Sequence, residues 1–264
     1  MSSSRRHLVD TRLGQMHVRT LGEGGVPLVL LHSQVVSSRW YDDLAPLLAG
    51  DRLIVMPDRI GYGDSDPAPR QLSFSEFAEA TIDGLDALGV AEFDTAGIHS
   101  GGIEAIELAV QLPDRVRRVA TITAPVFNDE ERPAFKEMFG PPPEFADDAS
   151  HLEFAWGWWH GAQPEGYDLE IVQTWLVDHL KAWPNYWWTF VEGIDYPMAE
   201  RLPQVTQPLL LMVPHDDIHE QTERAIPLLP EGSEVIDLPH MTKVMEILTT
   251  HVEESAGYLK RFFA

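Results

Sequence analysis

The sequence predicts an α/β fold in which a mostly parallel sheet is covered by helices on both faces. Three observations predict it. Short runs of consecutive apolar residues alternate with segments of helical period. Within those runs the apolar character is continuous, as it must be for strands buried on both faces. Phe93 to Gly102 reads as a strand, a sharp turn between glycines and the start of a helix.

The elements follow in order. His17 to Thr20, with Arg12 and Gln15 around Gly14, forms part of an antiparallel hairpin. Val26 to Leu31 and Leu53 to Met56 are buried strands. Ser73-Phe74-Ser75-Glu76 is a capping box, so a helix starts there and runs to about Leu88, where Gly89 stops it. Phe93 to Ile98 is the next strand. Ser100 to Leu112 is a helix with Ile103, Ile106, Leu108 and Ala109 inward, ended by Pro113. Val116 to Ile122 and Leu209 to Val213 complete the apolar strands. The last helix runs from about Val244 to Phe263 and packs Leu248, Val252, Tyr258, Leu259 and Phe262.

The alternation breaks at Val126 and resumes at Pro208. Between them lie Pro141-Pro142-Pro143 and seven of the eight tryptophans: Trp156, Trp158, Trp159, Trp175, Trp183, Trp187 and Trp188. Residues 126–201 therefore read as a helical cap, inserted into a core of residues 1–125 and 202–264. The cap covers the carboxyl end of the sheet, where open α/β sheets bind ligands.

Composition bounds the function. The chain has 42 acidic and 19 basic side chains, a formal charge of -23, which disfavours nucleic acid and anionic lipid as partners. It has no cysteine, which excludes disulfides, thiolate catalysis and cysteine-held metals. No run approaches the ~18 apolar residues of a membrane span. The polar segment Met1 to Asp10 lacks the apolar core of a signal peptide. A cytoplasmic protein acting on a small molecule is the expectation.

The motif Phe93-Asp94-Thr95-Ala96-Gly97-Ile98-His99-Ser100-Gly101-Gly102 is a strand–elbow–helix. With it, the chain resembles the α/β-hydrolase superfamily along nearly its whole length. Leu30-Leu31-His32-Ser33-Gln34 is similar to that family's oxyanion-hole loop, with Ser33 in place of glycine. Pro57 to Asp66 resembles the loop after the next strand. Pro208 to Asp217 resembles the acid-bearing strand and turn, and Leu238-Pro239-His240 the histidine loop. The resemblance implies an eight-stranded, mostly parallel sheet with flanking helices. It also departs from the common pattern, because His99 stands where the nucleophile belongs. The elbow resembles a subgroup with Gly-x-His-Ser/Thr-Gly; Ala124-Pro125-Val126 and Asp148 to Leu152 match that subgroup as well.

The resemblance implies a catalytic set of His99, Asp217 and His240, with Asp216 competing for the acid position. His240 acts as general base, held by the acid through one ring nitrogen and facing His99 with the other. His99 is open to three readings: nucleophile, one half of a general-base pair with His240, or a replacement that disables the site. Ser100 begins the helix, so its N–H is more useful than its hydroxyl. With the N–H of Gln34, beside Ser33, it forms the oxyanion hole. Trp156, Trp159 and His151 are the expected substrate contacts from the cap. Asp58, Arg59, Asp64 and His32 are expected to brace their loops, Glu107 to be structural, and Glu104 to be at most marginal to the chemistry. His215 and His219 bracket the two aspartates, but the spacing lacks the third ligand of a zinc site, so no metal is expected.

The first functional reading is a cofactor-free hydrolase of a small, largely apolar ester, lactone or related carbonyl compound. The alternatives are a non-hydrolytic enzyme on this scaffold, a lyase or cofactor-independent oxygenase, and a disabled ligand-binding protein.

Overall fold

The computed structural model describes residues 4–162 and 168–264. The eight strands are β1 (Arg5–Thr11), β2 (Gly14–Leu21), β3 (Leu28–Leu31), β4 (Ile54–Pro57), β5 (Phe93–Ile98), β6 (Val116–Ile122), β7 (Leu209–Pro214) and β8 (Glu234–Leu238). They form one sheet in the order β1-β2-β4-β3-β5-β6-β7-β8. β1 and β2 make the antiparallel hairpin, β2 lies antiparallel to β4, and every later pairing is parallel.

The helices are α1 (Leu44–Leu48), α2 (Phe74–Ala87), α3 (Ser100–Gln111), α4 (Arg132–Met138), α5 (Ser150–Ala162), α6 (Leu169–Lys181), α7 (Trp187–Asp195), α8 (Met198–Arg201), α9 (His219–Glu223) and α10 (Val252–Phe262). Ser73 caps α2 as the sequence predicts: its hydroxyl accepts from the Glu76 N–H while the Glu76 carboxylate accepts from the Ser73 N–H. Among the described residues, 123–208 contribute helices and no strand, so α4 to α8 lie between β6 and β7.

Period-two side-chain direction splits the core into two layers. Leu28, Leu30, Ala96 and Ile98 face one side with Leu259 and Phe262 of α10. Val29, Leu31 and Phe93 face the other with Phe77 of α2 and Ile103, Ile106 of α3. The first layer continues into Trp159, Val172 and Trp175 of α5 and α6, so these helices share a core with the sheet.

Two differences from the sequence reading have local causes. The last helix is interrupted: Val244–Leu248 form a 3-10 turn and α10 starts only at Val252. The Glu246 carboxylate accepts from the N–H groups of Thr242 and Lys243 and closes the turn on itself. β8 lacks a continuous apolar run because it is an edge strand, with Val235 41% exposed.

Candidate active site

The chain leaves β3 for β4 on one side and returns to β5 on the other side of β3. Such a reversal opens a crevice at the strands' carboxyl ends. The two loops at that crevice carry Ser33 and Gln34 after β3, and His99 after β5.

His99 occupies the crest of the turn with φ 50 and ψ -116, a conformation that a side chain with a Cβ rarely adopts. The glycines around it are obligatory on contact grounds. A Cβ on Gly97 would lie 2.1 Å from the Gly101 carbonyl carbon, and one on Gly101 would lie 1.9 Å from the Leu31 carbonyl oxygen. Strand, turn and helix are thus pressed together, and the side chain at position 99 is held out into the crevice at the N-terminus of α3.

The partner of that imidazole is Asp216. Its Oδ2 lies 3.2 Å from His99 Nε2, with the carboxylate only 3% exposed. The other oxygen accepts from the Ile218 N–H at 3.2 Å. Asp217, the acid expected from the sequence, borders the same cavity but is exposed, and its neighbour makes the contact.

His240 corrects the sequence reading more sharply. It is exposed, and its Nε2 pairs with Glu254 Oε2 of α10 at 3.0 Å. It is absent from the wall of the cavity that His99 borders, although Thr242 to Met245 of the same loop contribute to that wall. The cause is the turn closed by Glu246, which begins two residues after His240, together with the carboxylate offered by α10.

Ser100 is buried, and its Oγ accepts from the Arg59 guanidinium at 3.0 Å. Its hydroxyl is therefore directed to the elbow's foundation. Arg59 also pairs with Glu104 of α3 and donates to the His32 carbonyl, while Glu104 accepts from Thr81 at 2.6 Å. Arg59 and Glu104 are each 2% exposed at the side chain. This buried cross-tie was missed in the sequence; its only signal was two opposite charges inside apolar segments.

His32 lies between the same groups. Its Nδ1 donates to the Ser33 carbonyl and its Nε2 accepts from the Arg59 N–H. Burial, and then the Arg59 charge, push its pKa down to about 4, so the ring is neutral. Burial alone would raise the Asp58 carboxyl. Hydrogen bonds from His17, Asp64 and Ser38, with the nearby His32, bring it down to about 2. These residues fix the β4 loop under the β3 loop. Glu107 is structural, held by Arg201 and Tyr196.

The cavity encloses about 490 Å³. Ser33, Gln34, His99, Ser100, Asp216 and Asp217 supply its polar edge. Its walls are Val35, Trp40, Phe127, Phe135, Phe139, Trp158, Trp159 and Phe190, with Phe139 and Phe190 stacked at 4.4 Å. Of the cap residues expected to contact substrate, Trp159 lines the cavity. Trp156 does not: it is 39% exposed and lies against His160 on the outer face of α5, and Trp158 takes the wall position. His151 also falls outside the cavity, packed on Phe145 and Trp183 with its Nδ1 accepting from the Ala146 N–H.

The fold agrees with that of known proteins. A family model described as alpha/beta hydrolase fold matches residues 26–196. The chain is 29% identical over 127 residues to 2-hydroxymuconate semialdehyde hydrolase of Pseudomonas sp. (strain CF600), covering 47% of this chain and 45% of that protein. It is 31% identical over 118 residues to an uncharacterized carboxylesterase of Bacillus subtilis (strain 168), covering 44% of this chain and 39% of the relative. The matches thus span less than half the length of these relatives. Among solved structures the chain is similar to carboxylesterase CesB from Bacillus subtilis, with TM-score 0.74 and 21% identity over 99% of this chain and 92% of that one. It is also similar to the enol-lactonase from Burkholderia xenovorans LB400, with TM-score 0.78 and 16% identity over 97% of this chain and 99% of that one. At such identities the likeness speaks for the fold.

Proposed function

We propose, since the chain belongs to the alpha/beta hydrolase fold family, that it is a cofactor-free hydrolase of a small, largely apolar ester, lactone or related carbonyl compound. The observation that carries this reading is the contact of His99 Nε2 with the sequestered Asp216 carboxylate at the edge of an aromatic-walled cavity. A carboxylate accepts, so the proton sits on Nε2 and Nδ1 keeps its lone pair.

In this mechanism Nδ1 removes a proton from water as the water oxygen bonds to the substrate's carbonyl carbon. Negative charge moves to the carbonyl oxygen, where the N–H groups of Gln34 and Ser100 meet it at the positive end of α3. The first N–H groups of a helix have no partner within it, which leaves that of Ser100 for this purpose. The intermediate then collapses. The carbonyl re-forms, the bond to the leaving oxygen breaks, and the imidazolium returns its proton to that oxygen. Asp216 stabilises the imidazolium meanwhile.

The crest position of His99 favours a second reading, in which Nδ1 bonds to the carbonyl carbon, the bond to the leaving oxygen breaks as that oxygen takes a proton from solvent, and water then hydrolyses the acyl-imidazole to the acid and free His99. Aromatic walls select flat apolar substrates, and the charge of -23 disfavours anionic ones. The names of the similar proteins speak of a semialdehyde, a carboxylic ester and an enol lactone, all carbonyl compounds. In this reading residues 126–201 are the cap and the remainder the catalytic core.

The test is a panel of activated esters and lactones assayed with the wild type and His99→Ala. Turnover lost in the folded variant supports the proposal; turnover at the wild-type rate overturns it. Mass spectrometry of rapidly quenched wild type separates the two mechanisms, because only nucleophilic attack leaves an acyl adduct on His99.

A further inference from the structure

Away from the cavity, three ligating side chains converge on one point. His240 Nε2 lies 3.0 Å from Glu254 Oε2, and His251 Nδ1 lies 3.3 Å from the same oxygen. All three atoms fall within 4.8 Å of one another, and the two rings stand at 78° with centroids 4.9 Å apart. The other Glu254 oxygen accepts from Tyr258 at 2.8 Å, which fixes the carboxylate and turns Oε2 toward the histidines.

We propose that His240, His251 and Glu254 form a surface site for a divalent transition metal ion, zinc foremost, with water in the open position. Zinc binds imidazole nitrogen and carboxylate oxygen at about 2.0–2.2 Å in a tetrahedron, which sets neighbouring donors about 3.3 Å apart. The two nitrogen–oxygen distances already match that edge. Two imidazoles and one carboxylate suit zinc, whereas magnesium and calcium prefer oxygen donors. The formal charge of -23 raises the local concentration of any cation.

The ion would join two segments. His240 follows β8 and leads into Thr242 to Met245, which wall the cavity, whereas His251 and Glu254 belong to the start of α10. A bound ion therefore clamps the cavity loop to α10. This inference stands apart from the proposed hydrolysis, since no residue of the site touches the reacting atoms.

The test is titration of the whole chain with zinc chloride, followed by calorimetry and thermal melting, for wild type, His251→Ala and Glu254→Gln. One equivalent should bind the wild type and raise Tm by about 5 °C at a hundredfold excess over Kd. Magnesium should give no shift. Melting in chelator shows whether the variants are folded, and both should match the wild type there. Binding that persists unchanged in both folded variants, or no binding to the wild type, overturns the site. Amide exchange in Thr242 to Met245 should slow with zinc; unchanged exchange in the loaded protein overturns the clamp.

Discussion

The Arg59 guanidinium donates to the Oγ of Ser100 at 3.0 Å, directly under the turn that raises His99 into the cavity. The one hydroxyl next to the elbow crest is thereby committed to structure. In the proposed mechanism the chemistry falls to the imidazole and to the carboxylate that holds it.

Asp216→Asn keeps the shape and removes the charge that favours the imidazolium. It should lower kcat/KM by about 10²–10⁴-fold without loss of fold. Asp217→Asn should stay within about threefold, because an exposed charge is screened by solvent and salt. Steady-state kinetics on one reactive ester decides; equal losses in both variants would contradict the assignment.

His99→Gly should be inactive, and more stable than His99→Ala, which loses the same contact with Asp216. The crest conformation stores on the order of 1–3 kcal/mol of backbone strain, against about 0.5–1 kcal/mol for the added freedom of glycine in the unfolded chain. A net gain of about 1 kcal/mol follows, read as a higher urea midpoint at unchanged slope. A midpoint below that of His99→Ala would show that the turn is unstrained.

Arg59→Met leaves the Glu104 carboxylate buried without its cation and should cost about 3–5 kcal/mol. Arg59→Met combined with Glu104→Met should recover most of that loss, since the pair is coupled. Denaturant melts of the two single variants and the double variant test this. Simple additivity would show that the charges act independently.

Stability should fall on acidification in two separate windows. His179 is fully buried against Trp158, Trp159, Trp183 and Tyr186, and neither ring nitrogen has a hydrogen-bond partner among the described residues. Burial lowers its pKa to about 4, and burial with Arg59 does the same to His32. The unfolded chain takes up these protons near pH 6.5 and the folded chain only near 4. Stability is therefore complete above 6.5 and declines as pH falls to 4, by up to about 1.4 kcal/mol per pH unit for each ring. Asp58, held at about 2, adds a loss only as pH falls from its ordinary value of 3.8 through 2. His179→Leu should remove about half of the first slope in a series of urea melts. An unchanged slope would place the lost protons elsewhere.

The fold was legible because its signals are local. Continuous apolar strands, the Ser73–Glu76 box and the glycines around position 99 each dictate conformation within a few residues. The site was legible only as far as the elbow. Which of Asp216 and Asp217 turns inward depends on one turn that also seats Ile218, and adjacent carboxylates give no sequence signal to separate them. His240 was assigned through its place in a motif order, but Glu254, 14 residues later, offers it another partner. The error at Trp156 is rotational: periodicity shows that α5 has an inner face without giving its orientation toward the cavity. Phe135 and Phe139, four apart on the α4 segment, are wall residues that their spacing could have announced.

All eight tryptophans, Trp40 and the seven from Trp156 to Trp188, lie in the 3-10 turn Ser38–Tyr41 after β3 or in the helical segment between β6 and β7, and Trp40, Trp158 and Trp159 border the cavity itself. Ultraviolet emission from this protein therefore originates around the cavity and the helices between β6 and β7, and is blind to the hairpin edge of the sheet. Any guest that displaces solvent from between those indoles will change their spectrum, so occupancy can be followed optically, without a label and before a substrate has been found.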